Sequence, residues 1–455
     1  MEMILEFLRD VLSQPALLIG IMSCVGLIAL KRPFHKIMTG TLKPILGYLM
    51  LAAGAGVIVS NLDPLGKMIE HGFHITGVVP NNEAIVAVAQ KVLGVETMSI
   101  LVVGLLMNLL IARFTKFKYV FLTGHHSLFM ACLMSAVLGT AGLSGIELIL
   151  VGGFLMGAWS AISPAIGQSY TSKVTDGDEI ALGHFGSLGY YLSAWVAKYV
   201  GKAEESTEDI GIPEKWGFLR DSTLSTALTM IVFYLIAAIA AGSEFVATLS
   251  GSMSPYLFAV MSAMNFAVGV AIVYSGVRMI LGDLIPAFQG IATKIIPNAI
   301  PAVDCAVFFT YAPTAVVLGF ISSFIGGIIG MLILGAVGGV LIIPGLVPHF
   351  FCGATAGIYG NATGGRRGAA VGAFLNGLAI TFLPALALPV LGQLGFQNTT
   401  FGDADFAVMG LVLGNAFEWI GMAGIYGVVV IAALVLIIPN FIKTKGKVIN
   451  YVEEE

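Results

Sequence analysis

Long apolar stretches, separated by short polar turns, run along almost the whole chain. A helix that spans a bilayer needs about 17–25 mostly apolar residues. Eleven stretches reach that length: residues 14–30, 44–61, 93–112, 119–140, 144–166, 223–242, 255–279, 306–335, 337–353, 368–392 and 407–440. The stretch 337–353 is also compatible with a re-entrant segment. The pattern predicts an all-α polytopic membrane protein with about eleven transmembrane helices.

Four further segments are interrupted too often by Pro, Gly and polar residues to form simple spans. They are residues 62–92, 170–200, 281–305 and 354–366. Backbone that leaves helical geometry at membrane depth is tolerated only inside the protein or beside a water-filled cavity. The interruptions therefore indicate a polar site within the membrane.

Composition supports the membrane interpretation. The chain has 57% hydrophobic and only 11% charged residues, whereas a soluble domain has about 25% charged residues. The net charge of -4 gives no reason to expect nucleic acid as a partner. The four cysteines stand singly in apolar segments, so neither a disulfide framework nor a zinc site is expected. No metal and no cofactor is predicted.

Basic residues cluster in alternate loops. They are Lys31, Arg32, Lys36, Lys43, Arg113, Lys116, Lys118, Lys198, Lys202, Lys215, Arg220, Lys443, Lys445 and Lys447. The loops near 141–143, 243–254 and 393–405 contain none. Because cytoplasmic loops carry the excess of Lys and Arg, we expect a multi-pass membrane protein with its N-terminus outside, its C-terminus in the cytoplasm and a cytoplasmic linker at 198–221.

The two halves of the chain repeat one order of interruptions. In "SNLDPLGKMIEHGFHITGVVPNNEAI" and "LGDLIPAFQGIATKIIPNAIPAVDCAV", a Leu-x-Pro is followed by a helical stretch, a second proline and an acidic residue. Glu83 lies three residues after Pro80, as Asp304 does after Pro301. With the expected orientation, residues 44–200 and 255–440 form an inverted repeat. Such repeats are typical of transporters with a binding site near the membrane midplane.

Two other pairs of motifs follow the same order. The stretch "LTGHHSLFMA" matches "IIPGLVPHFFCGA", and "DGDEIALGHFGSLG" matches "FGDADFAVMGLVLG". Of the adjacent His125 and His126, only one is expected to line the cavity, and His125 is preferred. His184 either lines the cavity or is a buried, hydrogen-bonded histidine, and His349 is a weaker candidate at the position that matches the His125 region.

The two acidic residues are the principal candidates for the site. An ionisable side chain inside the membrane costs a few kcal/mol, so a functional role is its default interpretation. Asp304 fits substrate binding, with helix capping as the alternative. Glu83 fits the same role, although it can instead cap a helix together with Asn81 or Asn82.

These motifs resemble those of the ascorbate-type enzyme IIC, the membrane component of a bacterial phosphotransferase system. The resemblance is carried by "KVTDGDEIALGH", "AFQGIATKIIPNAIPAVDCAVFFTYAPTAVVLGF", "LIIPGLVPHFFCGATAGIYGN" with "GGRRGAA", and "LTGHHSLFM". It implies that residues 1–455 form one transport domain and that the protein is a homodimer in the lipid of the bacterial inner membrane, so that the outside N-terminus is periplasmic. Each protomer would have a scaffold at the dimer interface and a core that holds the sugar and two re-entrant hairpins and moves as an elevator.

The resemblance also implies partners and a pocket. The cytoplasmic phosphocarriers are enzymes IIB and IIA, and a phosphocysteine on enzyme IIB phosphorylates the incoming L-ascorbate. This chain would carry no phosphorylated residue. The pocket would contain Asn82, Glu83, His125, His126, Ser127, Leu128, Phe129, His184, Phe185 and Asp304. Among these, only Asp304 is a candidate to accept the proton of the sugar hydroxyl.

The chain departs from the ascorbate-type pattern at four of these positions. Asn82 and Glu83 replace a familiar Thr-Tyr pair, and Phe129 and Phe185 replace familiar glutamines. Losing two amides and gaining a carboxylate changes the hydrogen bonds on offer. The sequence therefore leaves open whether the substrate is L-ascorbate or another sugar acid or polyol.

Three functions compete at this point. Group translocation, favoured by the resemblance, makes the chain a transport subunit and not an enzyme. The alternative is a proton-coupled secondary transporter of a sugar acid or polyol, in which Glu83 and Asp304 carry the proton. A membrane-embedded enzyme is the weakest, since no nucleophile or metal-ligand constellation appears. "TGGRRGAA" lacks the Lys-Ser/Thr of a nucleotide-binding loop.

Overall fold

Helices make up most of the structure, a computed structural model that describes residues 11, 14–74, 77–78, 80, 82–210, 222–294, 296–392 and 400–441. In the first half the elements are α1 (Pro15–Ala29), α2 (Phe34–Phe73), α3 (Asn82–Phe114), β1 (Tyr119–Phe121), α4 (Gly124–Thr140), α5 (Gly145–Thr175), β2 (Ala181–Leu182) and α6 (Ser187–Val200). In the second half they are α7 (Ser222–Ala241), α8 (Ser243–Ser250), α9 (Pro255–Lys294), β3 (Ile300–Val303), a 3-10 helix (Cys305–Thr310), α10 (Pro313–Ala336), α11 (Leu346–Gly392), α12 (Ala404–Ile420) and α13 (Met422–Phe441).

Several of these helices are suited to a bilayer. Within the described residues, seven are long and apolar enough to cross one, or eight if the bent pair α7 and α8 forms one span. Apolar side chains such as Ile239 and Phe441 are exposed on their outer faces, as contact with lipid requires. The predicted all-α polytopic membrane protein is confirmed, while the number of eleven spans stays a prediction.

Three of the predicted spans are wrong in detail. Residues 119–140 form a buried strand followed by a helix of 17 residues, because the backbone of β1 bonds to another strand instead of continuing a helix. Residues 407–440 belong to two helices, α12 and α13, which Gly421 separates at a φ of 62°. Residues 337–353 supply a connection and only the first turns of α11.

The interruptions are shorter than the composition predicts. Helix α2 continues through Pro64 to Phe73, and α9 continues to Lys294. Helix α11 begins at Leu346, runs through the expected break at 354–366 and leaves helical geometry only at Gly364 and Gly365. A proline removes one intrahelical hydrogen bond, but neighbouring groups in a membrane protein can replace that bond, so the helix continues.

A three-stranded parallel sheet lies inside the protein, in the order β1-β3-β2. Tyr119 pairs with Ile300 and Leu182 pairs with Val303. The central strand contains Pro301, which cannot donate a hydrogen bond. Successive residues of a strand direct their backbone groups to opposite neighbouring strands, and the backbone nitrogen of Pro301 faces β2. Pairing between β2 and β3 begins only at the next residue, Ala302. The missing donor therefore costs the sheet no hydrogen bond.

Extended segments of one half of the chain pair with extended segments of the other half. β3 of the second half pairs with β1 and β2 of the first half. Conversely, Val78 of the first half forms a parallel bridge with Ile342 of the second half. Under the predicted repeat, Val78 corresponds in order to β3 and Ile342 to β1, so the bridge is what a two-fold relation between the halves would generate. The repeat itself stays a prediction.

The helices form two groups by their packing. Helices α1, α2, α7 and α9 pack mainly against one another, and we call them the first bundle. The remaining long helices, α3 to α6 and α10 to α13, pack around the sheet and form the second bundle. The contacts between the bundles are fewer than the contacts within them.

Candidate functional site

The carboxyl ends of the three strands lie together on one side of the sheet, because parallel strands run in the same direction. We call this side the strand edge. β1 leads through Thr123 to His125 and His126, β2 leads to His184, and β3 leads to Asp304. The sheet thus brings together side chains from three distant parts of the chain. The sequence indicates a polar site within the membrane, and the assignment of these side chains to that site stays a prediction.

His125 is the accessible imidazole of the site, with 37% of its side chain exposed. Its Nε2 atom lies 3.4 Å from Oδ2 of Asp304. Its Nδ1 atom lies 3.1 Å from the hydroxyl of Tyr48, which belongs to α2. Both ring nitrogens therefore face a polar partner.

Asp304 divides its two carboxylate oxygens between two tasks. Oδ1 accepts a hydrogen bond from the backbone N–H of Ala306 at 3.2 Å and so caps the 3-10 helix. Oδ2 faces His125. Capping is therefore observed, and the substrate-binding role that the sequence presents as its alternative stays a prediction.

His126 and His184 are buried and lie against each other, with ring centroids 3.7 Å apart. The backbone N–H of Phe185 donates to Nδ1 of His126 at 3.2 Å. The backbone N–H of Gly186 donates to Nδ1 of His184 at 3.1 Å. A nitrogen that accepts from an N–H carries no proton, so both rings are neutral with the proton on Nε2.

The position of His184 depends on a glycine before it. Gly183 lies so close to β3 that a Cβ atom there would be 2.3 Å from the carbonyl oxygen of Ala302. Its N–H donates to the carbonyl of Val303 at 2.7 Å. The strand pairing therefore holds the start of the His184 loop against the end of β3.

Four other expected pocket residues lie in the protein interior. The hydroxyl of Ser127 donates to the carbonyl of Thr123 at 3.2 Å, which is a local bond in the first turn of α4. Phe129 and Phe185 are buried, and Phe185 stacks on Phe121 with centroids 4.5 Å apart. Leu128 is half-buried. Phe129 and Phe185 pack near His126, with ring centroids 5.7 and 6.1 Å from it. Direct contact of these four residues with a sugar stays a prediction.

Asn82 belongs to the first half of the chain, whereas Asp304 belongs to the second half. Its Nδ2 donates to Oδ2 of Asp403 at 2.6 Å, and its Oδ1 accepts from the N–H of Gly402 at 2.9 Å. The side chain of Glu83, the next residue, lies outside the described residues.

The sequence interpretation missed Asp403 as a site residue. Oδ1 of Asp403 accepts from the thiol of Cys352 at 2.9 Å and lies 3.9 Å from Nδ1 of His184. The motif "FGDADF" was matched with "DGDEIALGHFG" as a repeat, and this match is the signal that could have identified it. Tyr48 and Tyr190, whose hydroxyl lies 2.9 Å from Nδ1 of His184, carry no comparable signal.

Asp405 is a buried carboxylate that joins three helices. Oδ1 accepts from the N–H of Leu188 at 2.9 Å, and Oδ2 accepts from the hydroxyl of Ser187 at 2.7 Å. Nε1 of Trp159 donates to Oδ2 at 3.2 Å. A negative charge is favourable at the N-terminus of a helix, here α6. Since the N–H of Asp405 also donates to the carbonyl of Phe185 at 2.9 Å, this residue fixes the loop that carries His184.

Among the described residues, two overlapping sets of side chains are close enough together to hold a metal ion. They are His126, His184 and Asp403, and His184, Asp304 and Cys305, with ligand atoms within 4.8 Å of one another in each set. In both histidines the Nδ1 atom already accepts backbone hydrogen bonds. The expected absence of a metal stays a prediction.

Comparisons with known proteins bear on the family. The profile of the family described as "PTS system sugar-specific permease component" matches residues 10–405. The chain is also 26% identical over 417 residues to a protein named "Ascorbate-specific PTS system EIIC component" from Mycoplasma pneumoniae. That alignment covers 78% of this chain and 62% of the relative's length. Because the family profile covers most of the chain, the protein belongs to the family of sugar-specific permease components of the phosphotransferase system.

Proposed function

We propose that the protein is the sugar-translocating enzyme IIC of a phosphotransferase system and that it imports L-ascorbate or a related sugar acid or polyol. The observation that carries the proposal is the meeting of His125, His184 and Asp304 at one strand edge in a member of this permease family. The name of the Mycoplasma pneumoniae relative supports L-ascorbate as the first substrate to test.

The chemistry of the site suits a polyhydroxylated substrate. Neutral imidazoles with a proton on Nε2 donate hydrogen bonds, and carboxylates accept them from hydroxyl groups. Hydrogen bonds to an ionised acceptor are about twice as strong as neutral ones. Asp304 would therefore contribute most of the binding free energy per contact, with His125 and His184 fixing the orientation of the sugar.

Phosphorylation would follow binding when the site opens to the cytoplasm. The phosphocysteine of enzyme IIB supplies the phosphoryl group, so the S–P bond breaks, a bond forms between phosphorus and the sugar hydroxyl, and the thiolate leaves. Asp304 accepts the hydroxyl proton. Positioning does most of the catalysis in such a transfer, which suits a chain that holds the sugar and leaves the phosphoryl group to its partners, enzymes IIB and IIA.

Translocation would use movement between the two bundles. The first bundle would be the scaffold of a homodimer, and the second bundle would be the core that carries the site as an elevator. The smaller contact between the bundles than within them supports this assignment.

Uptake into inverted or right-side-out vesicles tests the proposal. Radiolabelled L-ascorbate, a pentitol and a sugar acid are supplied with and without phosphoenolpyruvate and the soluble phosphocarriers. We expect accumulation of a sugar phosphate only when the phosphocarriers are present. Accumulation of unmodified sugar that follows an imposed pH gradient would contradict group translocation.

The same experiment tests proton-coupled transport, which one observation favours. Asp304 and Asp403 are both buried carboxylates of the site, and ionisable groups inside the membrane are often proton carriers. The side chain of Glu83, the other expected proton carrier, lies outside the described residues. Uptake driven by a pH gradient alone would establish this second function.

A further inference from the structure

A single hydrogen bond joins the first bundle to an accessible imidazole of the site. Tyr48 lies near the middle of α2, and only 7% of its surface is exposed. Its hydroxyl lies 3.1 Å from Nδ1 of His125, in α4 of the second bundle. A tyrosine hydroxyl buried among apolar groups needs a polar partner, and His125 supplies it.

The direction of this bond follows from Asp304. A carboxylate oxygen accepts hydrogen bonds, so the geometry favours the tautomer of His125 with its proton on Nε2, which faces Oδ2 of Asp304 at 3.4 Å. Nδ1 is then an acceptor, and the hydroxyl of Tyr48 donates to it. The arrangement is a chain from Tyr48 through His125 to Asp304.

Both nitrogens of His125 are thus occupied by protein groups. A sugar hydroxyl that bonds to His125 must take the place of Tyr48 or of Asp304. The contact with Asp304 is long for a hydrogen bond and joins residues of the same bundle, whereas the contact with Tyr48 crosses from one bundle to the other.

We propose that Tyr48 is a positioning residue of the substrate site that competes with the sugar for His125. In the empty protein Tyr48 holds the second bundle against the first. Entry of the sugar takes over His125, releases Tyr48 and frees the second bundle to move. The inference rests on the proposed function for the identity of the competing ligand, and on the geometry alone for the link between the bundles.

The competition predicts whether removal of the Tyr48 hydroxyl tightens or weakens sugar binding. A ligand that must first break a protein contact binds more weakly by the cost of that contact. A net hydrogen bond corresponds to about a 5-fold change in an equilibrium constant (~1 kcal/mol). Removing the hydroxyl of Tyr48 should therefore tighten sugar binding, whereas removing a residue that touches the sugar would weaken it.

The first experiment measures binding of L-ascorbate and of a pentitol to the purified full chain. Tyr48→Phe keeps the aromatic ring and removes only the hydroxyl. We expect a Kd about 5-fold lower than that of the unmodified protein, with a lower melting temperature in the absence of sugar. An unchanged or higher Kd would overturn the proposal.

The matched control is Tyr234→Phe. Tyr234 is also a buried tyrosine whose hydroxyl bonds to α2, but it donates to the carbonyl of Asn61 within the first bundle. It should lower the melting temperature without changing the Kd. If Tyr234→Phe tightened binding equally, general loosening of the protein would explain the effect and the proposal would fall.

A second experiment needs no sugar. Phe233 of α7 and Phe320 of α10 lie on opposite bundles with ring centroids 6.2 Å apart. A Phe233→Cys, Phe320→Cys pair, with both single variants as controls, reports the approach of the bundles by cross-linking. Adding Tyr48→Phe should slow cross-linking several-fold, and an unchanged rate would overturn the link between the bundles. If no sugar binds the unmodified protein, the proposed function fails, and cross-linking still decides the role of Tyr48.

Discussion

Asn82 and Asp403 are 321 residues apart in the chain, and the amide of Asn82 donates to the carboxylate of Asp403 at 2.6 Å. Asp403 in turn lies 3.9 Å from His184. The first turn of α3 is thereby connected to the strand edge that carries the histidines. The polar centre is therefore built by both halves of the chain, since Asn82 and His184 of the first half contact Asp403 of the second half.

Replacing the site carboxylate should separate binding from folding. Asp304→Asn keeps a side chain of the same size, and asparagine is also a good helix cap. We expect an unchanged melting temperature and sugar binding weaker by about 10- to 100-fold, since a hydrogen bond to a charged group contributes about 1.5–3 kcal/mol. Titration of the purified protein with L-ascorbate and a pentitol measures the effect.

Asp63→Asn is the control for this change. Asp63 forms an exposed ion pair with Lys67 on α2 at 2.8 Å, so its loss should leave both quantities unchanged. Normal affinity in a well-folded Asp304→Asn protein would remove Asp304 from the site.

Removing the buried carboxylate of Asp405 should destabilise the protein. Asp405→Ala leaves the donors of Ser187, Leu188 and Trp159 without their partner. We expect a loss of about 3 kcal/mol or more, because unpaired buried donors are costly. Thermal unfolding in detergent measures the loss. Glu147→Gln, which affects an exposed bond with Tyr426, should change stability little, and an equal effect of the two variants would contradict this prediction.

Orientation in the membrane can be tested with two added cysteines. Ser252 and Glu204 are both exposed, and the distribution of Lys and Arg predicts that they lie on opposite sides. A membrane-impermeant maleimide should label Ser252→Cys in intact cells and Glu204→Cys only after permeabilisation. The unmodified chain controls for its own four cysteines. Labelling of both positions from one side would disprove the predicted orientation and with it the inverted repeat of 44–200 and 255–440.

We predict that enzyme IIB docks on the basic turn after α3, from Arg113 to Lys118, because Lys and Arg mark the cytoplasmic side. The two lysines of this turn should behave differently. Nζ of Lys118 donates to the carbonyls of Ala112 and Arg113 at 3.1 and 3.3 Å and so caps α3. Burial, with Arg113 nearby, lowers the pKa of Lys118. Lys118→Glu should therefore reduce stability as well as phosphorylation.

Lys116→Glu is the sharper test of docking. We expect slower phosphorylation of the sugar by the purified phosphocarriers and an unchanged Kd for unphosphorylated sugar. Phosphorylation rate and Kd are measured on the same preparation. Equal loss of both would show that Lys116 supports the fold or the pocket.

The sequence was sufficient to bring the main site residues together. Pro80 lies between α2 and α3, and Pro301 lies within β3, so both prolines stand where the chain is not helical. The sequence predicts His125, His184 and Asp304 as site residues because they are ionisable and lie in or beside segments interrupted by Pro and Gly. The structure places all three at one strand edge. Their role in binding sugar stays a prediction.

The buried strands could not be predicted from composition. β1 has the sequence Tyr-Val-Phe, which is as apolar as a transmembrane helix. It is a strand because Ile300, far along the chain, donates to the carbonyl of Lys118 and Leu122 donates to that of Ala302. The hydrophobic pattern of a short stretch gives no information about such distant partners, so it predicts one span over residues 119–140.

Asp403 was missed for a related reason. In sequence, an acidic residue just before a helix is sufficiently explained as a cap. In the structure Asp403 makes no side-chain cap of α12 and instead bonds to Asn82 and Cys352. Only the contact between the two halves reveals its place.

The central position of β3 has a consequence for the biogenesis of the protein. β1 and β2 leave the ribosome first, and at synthesis rates of about 5–20 residues per second β3, which begins at Ile300, follows on the order of ten seconds later. During that interval both strands have an unpaired edge, which is unfavourable in lipid. A nascent chain that stops before Ile300 should therefore be degraded in the membrane much faster than the complete chain, as pulse-chase labelling would show.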